Sequence, residues 1–474
     1  LKDKLKEAYS PNAFRKNGHR LVDLIADYLE NAGNEEQKVM NWVEPGNQFD
    51  FWKDYDPGTN DPVVYFKEVI ERSIHLHNPR YMGHQISAPA PVTALAMMVS
   101  ALLNNGMAVY EMGAVSSALE KWIIRLFASL LGFGENGDGF LTSGGTLGTL
   151  TALLAARQVK TGGNAWEKGN PPGLAIMIPE ESHYSVERAA RVMGFGTEGI
   201  IKIPVDDHYR IKTGLLGSVL ASARKKGKRV IAVTANACST ATGSYDNLNE
   251  TGRFCRENDL WFHVDGAHGG AAIFSEKYKH LLDGVHLADS VTIDLHKMLM
   301  NPALSTALVF RNRNDSYATF NQKARYLWNR ETDDQWYDYA KRTMECTKLM
   351  MSVKFYAMVH SYGLEIFDQN VTTLYDLTRT FAGMIRKRKG FELAVDPMAN
   401  IVCFRITAKD KTENNRLNSR IRQQLLEEGE FYIVQTALKG AVWLRVTLMN
   451  PFTTKKHLTE LLEKIEMLAE GYLQ

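Results

Sequence analysis

Cysteine is scarce in this chain: four in 474 residues, Cys238, Cys255, Cys346 and Cys403, with no CxxC pair. That spacing excludes a disulfide framework and a zinc site built on paired thiols, and free thiols point to a reducing cytoplasm. Excess charge is missing too. A net charge of +2 gives neither a basic surface for nucleic acid nor an acidic one for a cationic partner. No stretch approaches the ~20 uncharged apolar residues of a membrane span, and the start, Leu1-Lys2-Asp3-Lys4, has no apolar signal segment. The expectation is a cytoplasmic protein with a small-molecule partner, and with no metal, nucleic-acid or membrane contact.

What is present is ordinary globular composition, 45% hydrophobic and 23% charged, in a length that suits two or three domains. Ser10-Pro11 marks a helix start, and Leu21, Leu24, Ile25, Tyr28 and Leu29 follow at helical spacing, an amphipathic arm that must pack on something. The breaker-rich stretch 44–62 reads as a linker, and 92–131 as one long apolar helix. Short apolar strands at 174–178, 229–233, 260–264 and 290–293 then alternate with helices, which implies a mostly parallel sheet covered on both faces. The strand at 305–310 begins eight residues after Lys297, too soon for a helical crossover, and is expected to be antiparallel. An α+β pattern follows, with strands at 391–395, 401–405 and 442–446 and a helix over 455–468. The expected division is an arm and linker over 1–75, a large α/β domain over 76–355 and a small α+β domain over 356–474.

Two GxGxxG stretches, Gly132/Gly134/Gly137 and Gly194/Gly196/Gly199, each follow a helix and lead towards a strand, the reverse of a dinucleotide site. Their glycines read as helix stops. Thr142-Ser143-Gly144-Gly145-Thr146 has the opposite context and opens a helix: either a hydroxyl-capped helix start or an anion cradle, with no Walker lysine to suggest a nucleoside triphosphate. Asp265 ends one apolar strand and Lys297 follows another, beside His296. Each has a bland reading, a turn aspartate and a solvated lysine. Together, a carboxylate and an amine at neighbouring strand ends suit an aldehyde cofactor whose ring nitrogen needs an acid partner: pyridoxal 5′-phosphate. Ala267 is small enough to lie against the ring, and His183, after the strand at 174–178, can stack on the exposed face or serve as an ordinary structural histidine.

The ordered set Ser143-Gly144-Gly145-Thr146, His183, His263-Val264-Asp265-Gly266-Ala267 and Asp294-Leu295-His296-Lys297 resembles the group II pyridoxal-phosphate amino-acid decarboxylases, over nearly the whole chain. The resemblance implies fold type I and α-decarboxylation of an L-amino acid by a homodimer with shared active sites. It also implies roles. Lys297 is the lysine that binds the cofactor aldehyde, Asp265 the partner of the ring nitrogen, and His183 the stacking histidine. Gly145 and Thr146, with His296 nearby, fall at the phosphate; Ser239 or Thr240 lies on the loop near the ring; Asp294 belongs to the lysine motif. Tyr326 corresponds to the tyrosine that returns a proton to the reacting carbon, Arg445 to the substrate-carboxylate arginine, and His84 or Gln85 to a substrate contact. Three positions depart from the family: His268 replaces a frequent aromatic, Leu295 replaces the usual proline, and the stretch Met82 to Gln85 matches neither the glutamate nor the aromatic type. Alternative readings are another fold-type I reaction, carbon–carbon cleavage or oxidative deamination, and a non-catalytic scaffold without cofactor.

Overall fold

The computed structural model describes residues 2–35, 37–163, 165–320 and 336–473. The chain forms two compact units, one of Gln85–Arg379 with Val395–Val402, the other of Leu1–His84, Thr380–Ala394 and Cys403–Gln474.

The larger unit is built on seven strands: β1 (Asp138–Thr142), β2 (Leu174–Pro179), β3 (Ile200–Ile203), β4 (Arg229–Asn236), β5 (Trp261–Asp265), β6 (Ser290–Asp294) and β7 (Thr306–Phe310). Their order is β1-β7-β6-β5-β4-β2-β3. The β3–β2, β2–β4, β4–β5 and β5–β6 pairs are parallel, and β7 is antiparallel to both β6 and β1. The short connection after Lys297 therefore makes the expected hairpin. Every residue of β2, β5 and β6 is buried, as parallel strands covered on both faces must be. The helix Gly145–Lys160 covers one face, where Ala152, Leu153, Ile176, Ile178, Trp261 and Phe310 share a core.

Three expectations change. The long helix over 92–131 is two, Pro91–Leu103 and Ala114–Leu130, because Asn104 turns left-handed at φ +45° and ends the first. The supposed linker carries one helix, Pro45–Lys53, and ends at the start of another, Pro62–Glu71, each with its proline in the first turn, where a missing N–H costs nothing. The expected break at 355/356 falls inside the helix Met351–Tyr362, which packs on Pro91–Leu103 and Ala114–Leu130. Both GxGxxG stretches do lie between a helix and a strand, before β1 and before β3.

The second unit has a four-stranded sheet of β8 (Phe391–Leu393), β9 (Ile401–Ile406), β10 (Val434–Leu438) and β11 (Ala441–Thr447), in the order β10-β11-β9-β8. The N-terminal segment groups with it because the Met82 N–H donates to the Tyr432 carbonyl at 2.9 Å and the Met82 carbonyl accepts from the Thr447 N–H at 2.9 Å. The arm helix Pro11–Gly33 starts as expected, with the Ser10 hydroxyl accepting from the Ala13 N–H at 3.2 Å. Among the described residues no helix is long and apolar enough to cross a membrane.

Candidate active site

The C-terminal ends of β1, β2, β4, β5 and β6 share one edge of the large sheet, and the chain leaving each end contributes to a cavity of about 440 Å³. From β5, Asp265 turns back to accept the Ala267 N–H at 3.2 Å, which fixes its carboxylate and brings Ala267 to the wall. From β6, Asp294 holds Lys297: Nζ lies 3.0 Å from Asp294 Oδ2, while the Thr306 hydroxyl donates to Oδ1 at 2.5 Å. The two loops are joined, since the Asp294 N–H donates to the Ala267 carbonyl at 3.1 Å. His296 is buried with Nδ1 2.8 Å from the Ser305 carbonyl oxygen. Leu295, in place of proline, uses its N–H to donate to that same carbonyl at 2.9 Å, extending the β6–β7 hairpin as proline could not.

From β1 the chain reaches the helix Gly145–Lys160 through Gly144, whose φ of +135° favours glycine. A Cβ at Gly145 would stand 3.1 Å from Asp294 Oδ1 and 3.4 Å from the Ala267 methyl, so a bare residue brings the helix start against the lysine motif. The first turn of such a helix presents unpaired N–H groups, here with the Thr146 side chain at the cavity. After β2, His183 caps the helix Tyr184–Val192: its Nδ1 accepts the Ser185 N–H at 3.3 Å and lies 2.7 Å from the Ser185 hydroxyl. Burial, with the nearby Lys297 charge, holds its imidazole below the ordinary range, although Asp265 and Asp294 pull the other way.

An amine, a carboxylate, an imidazole and a helix N-terminus thus converge on one cavity. This donor set fits pyridoxal phosphate, with Lys297 for the aldehyde, Asp265 for the ring nitrogen and Gly145 and Thr146 for the phosphate. A profile of the pyridoxal-dependent decarboxylase conserved domain matches residues 65–407. The chain belongs to that family. It is a pyridoxal-phosphate enzyme that decarboxylates amino acids.

Similarity extends along the whole length. The chain is 27% identical to an aromatic-L-amino-acid decarboxylase of Bacillus atrophaeus over 470 residues, 97% of this chain and 96% of that protein. It is 30% identical to an L-aspartate decarboxylase of Metarhizium robertsii over 391 residues, 81% and 78% of the two. The crystal structure of mouse CSAD in apo form shares the fold, with a TM-score of 0.90 at 24% identity over 97% of this chain and 99% of that one.

Within this decarboxylase the structure separates the two loop hydroxyls. Thr240 lines the cavity, whereas Ser239 does not, and its hydroxyl lies 2.8 Å from that of Thr242. Cys238 and His268 also form the wall. Cys238 stood next to Ser239, and His268 was noted only as a departure from the family; only the fold brings them to the cavity. His268 Nε2 lies 2.7 Å from Asn400 Oδ1. Arg445 and His84 belong to the second unit, where Arg445 is buried on β11 and its charge helps to hold His84 below the ordinary range, after burial itself. Gln85 opens the larger unit. Tyr326 lies outside the described residues.

His263, two residues before Asp265 on β5, is fully buried, and burial pushes its imidazole down to about 4 from an ordinary 6.5. Between those values the unfolded chain binds a proton that the folded chain refuses. The stability this site contributes is therefore complete above pH 6.5 and is lost as the pH falls towards 4. The loss is expected to reach about 3 kcal/mol. Urea unfolding across that range should show it, and His263→Asn should flatten the pH dependence by the same amount.

Proposed function

We propose that the cavity at the β1, β2, β4, β5 and β6 ends is where an L-amino acid loses its α-carboxylate, with Lys297, Asp265 and His183 as the working residues. The observation that carries this reading is the convergence of Lys297 and Asp265 on one cavity that a helix N-terminus also lines.

Bound pyridoxal phosphate supplies the electron-withdrawing ring that accepts the electron pair left behind as carbon dioxide departs. Asp265 would keep a proton on the ring nitrogen, for which its turn-fixed carboxylate is suited. Lys297 provides the amine for the aldehyde, steered by Asp294. Gly145 and Thr146, with His296 and Thr240 nearby, would hold the phosphate end and the ring edge, and Ala267 is small enough to admit the ring. His183, oriented by Ser185, covers the exposed face and stays neutral, able to pass a proton towards the reacting carbon. Tyr326 delivers that proton. By the family resemblance we assign Arg445 to the substrate carboxylate and His84 or Gln85 to a further substrate contact. Borohydride reduction of the loaded protein, followed by peptide mapping, is expected to leave the cofactor label on the peptide bearing Lys297. Label on any other lysine overturns the assignment.

We further propose a homodimer with shared active sites in the cytoplasm. Leu95, Met97, Met98, Val99, Leu102 and Leu103 on the helix Pro91–Leu103 are exposed, a run of apolar side chains that a second subunit would cover. None of the four cysteines is joined in a disulfide, which suits a reducing compartment. Leu102→Asp with Leu103→Asp is expected to yield monomers in sedimentation velocity, with catalysis lost in parallel. An active monomeric variant overturns the shared site.

A further inference from the structure

Behind Asp265 the sheet carries an unusual row of polar side chains. In the register of the parallel pairs, Thr234 lies beside His263 and His263 beside Ser290, while Asn236 lies beside Asp265 and Asp265 beside Thr292. Paired residues of parallel strands face the same side, as do residues two apart on one strand. Both rows therefore lie on the face covered by the helix Gly145–Lys160. That helix comes so near that a Cβ at Gly148 would stand 3.1 Å from Thr292 Cγ2. One row further back, Ala232 and Trp261 are apolar core, as elsewhere in the sheet.

Thr234, His263 and Thr292 are all buried, and among the described residues Thr234 Oγ1, His263 Nε2 and Thr292 Oγ1 have no hydrogen-bond partner. His263 Nδ1 is engaged, 2.9 Å from the Ser290 hydroxyl, which also accepts from Trp261 Nε1 at 2.9 Å. Three neighbouring polar groups left without partners lower stability, and valine or leucine would fill the same space without that cost. Such groups are retained where they serve a charge. The carboxylate beside them in the register is Asp265, and its charge reaches His263.

We propose that His263, Thr234 and Thr292 form the polar backing of Asp265, and that His263 is a positioning residue holding this carboxylate ready for the cofactor ring nitrogen. The proposal rests on the assignment of Asp265 to that nitrogen. The neutral imidazole and the two hydroxyls offer dipoles that solvate the carboxylate from behind, where water is excluded, and leave its open side to the cavity. Their contribution should appear in how tightly the cofactor is retained, and only while Asp265 carries its charge.

The test is the first-order rate at which holoenzyme loses pyridoxal phosphate, with a phosphatase present to destroy what is released, followed by visible absorbance. His263→Leu is expected to speed loss about tenfold and Thr292→Val, which keeps the shape without the hydroxyl, about threefold. His263→Asn, still able to donate, should recover most of the difference. In the Asp265→Asn background, itself much faster, both substitutions should change the rate less than about twofold, since the group they act through has lost its charge. Equal acceleration in both backgrounds would mean that these residues only pack, and would overturn the proposal, as would an unchanged rate in the native background. If His263→Leu fails to fold, the Thr292→Val pair of measurements decides alone. A distinct result, Asp265→Asn retaining cofactor as well as the native protein, would remove the assignment of Asp265 and the proposal with it.

Discussion

Lys297→Ala is expected to cut carbon dioxide release by about a thousandfold or more, the scale on which a group that bonds covalently to the reactant is missed. The substitution removes two things: the amine that meets the aldehyde, and the cation 3.0 Å from Asp294. Lys297→Arg separates them. Arginine keeps the positive charge for Asp294 but offers no amine at neutral pH, so it should be as inactive as alanine while melting close to the native protein. The gas released from carboxyl-labelled amino acids measures the first effect, and thermal unfolding the second. Activity within tenfold of native in either variant would remove Lys297 from the chemistry. The same panel of labelled amino acids identifies the preferred substrate.

The largest expected loss of stability comes from a buried ion pair. Lys348 Nζ lies 2.5 Å from Glu120 Oε1 and donates to the Leu141 carbonyl at 2.8 Å, while the same Glu120 oxygen accepts the Leu141 N–H at 2.8 Å. Both side chains are sealed from solvent, at 1% and 0% exposure. Burial draws the Lys348 ammonium down, and Glu120 draws it back towards the charged form. Lys348→Met leaves a buried carboxylate without its cation and is expected to cost about 3–5 kcal/mol in urea unfolding. Adding Glu120→Gln should return much of that loss, because the isolated charge, more than the missing attraction, is what destabilises. By contrast Arg125–Glu135, with side chains 41% and 99% exposed, should contribute under about 1 kcal/mol when Arg125 is changed to alanine. Similar losses at the two pairs would show that burial does not set the value of an ion pair in this fold.

Much of the frame was legible in the residues. β2, β4, β5 and β6 each hold a short apolar core and are buried almost throughout, so their run of large apolar residues stands out even where a polar residue interrupts it. β1, β3 and β10 were not read. β1 is Asp-Gly-Phe-Leu-Thr, with only two large apolar residues, and becomes a strand by pairing with β7. β3 holds four residues at a sheet edge. β10 alternates buried and exposed positions over five residues, too few to stand out, and takes its register from β11.

By itself the sequence determined the parallel sheet, the antiparallel return at β7, and the placing of a carboxylate and an amine at neighbouring strand ends. Each of these follows from a few consecutive residues and the geometry of one connection. Only the tertiary structure decided that Thr240 and not Ser239 lines the cavity, that Thr234, His263 and Thr292 bury polar atoms without partners beside Asp265, and that the first 84 residues group with the C-terminal sheet. It alone joined Glu120 to Lys348, 228 positions apart. The reason is physical: these outcomes depend on which distant segments meet, and on side-chain directions fixed by that packing, and no local pattern of residues encodes either.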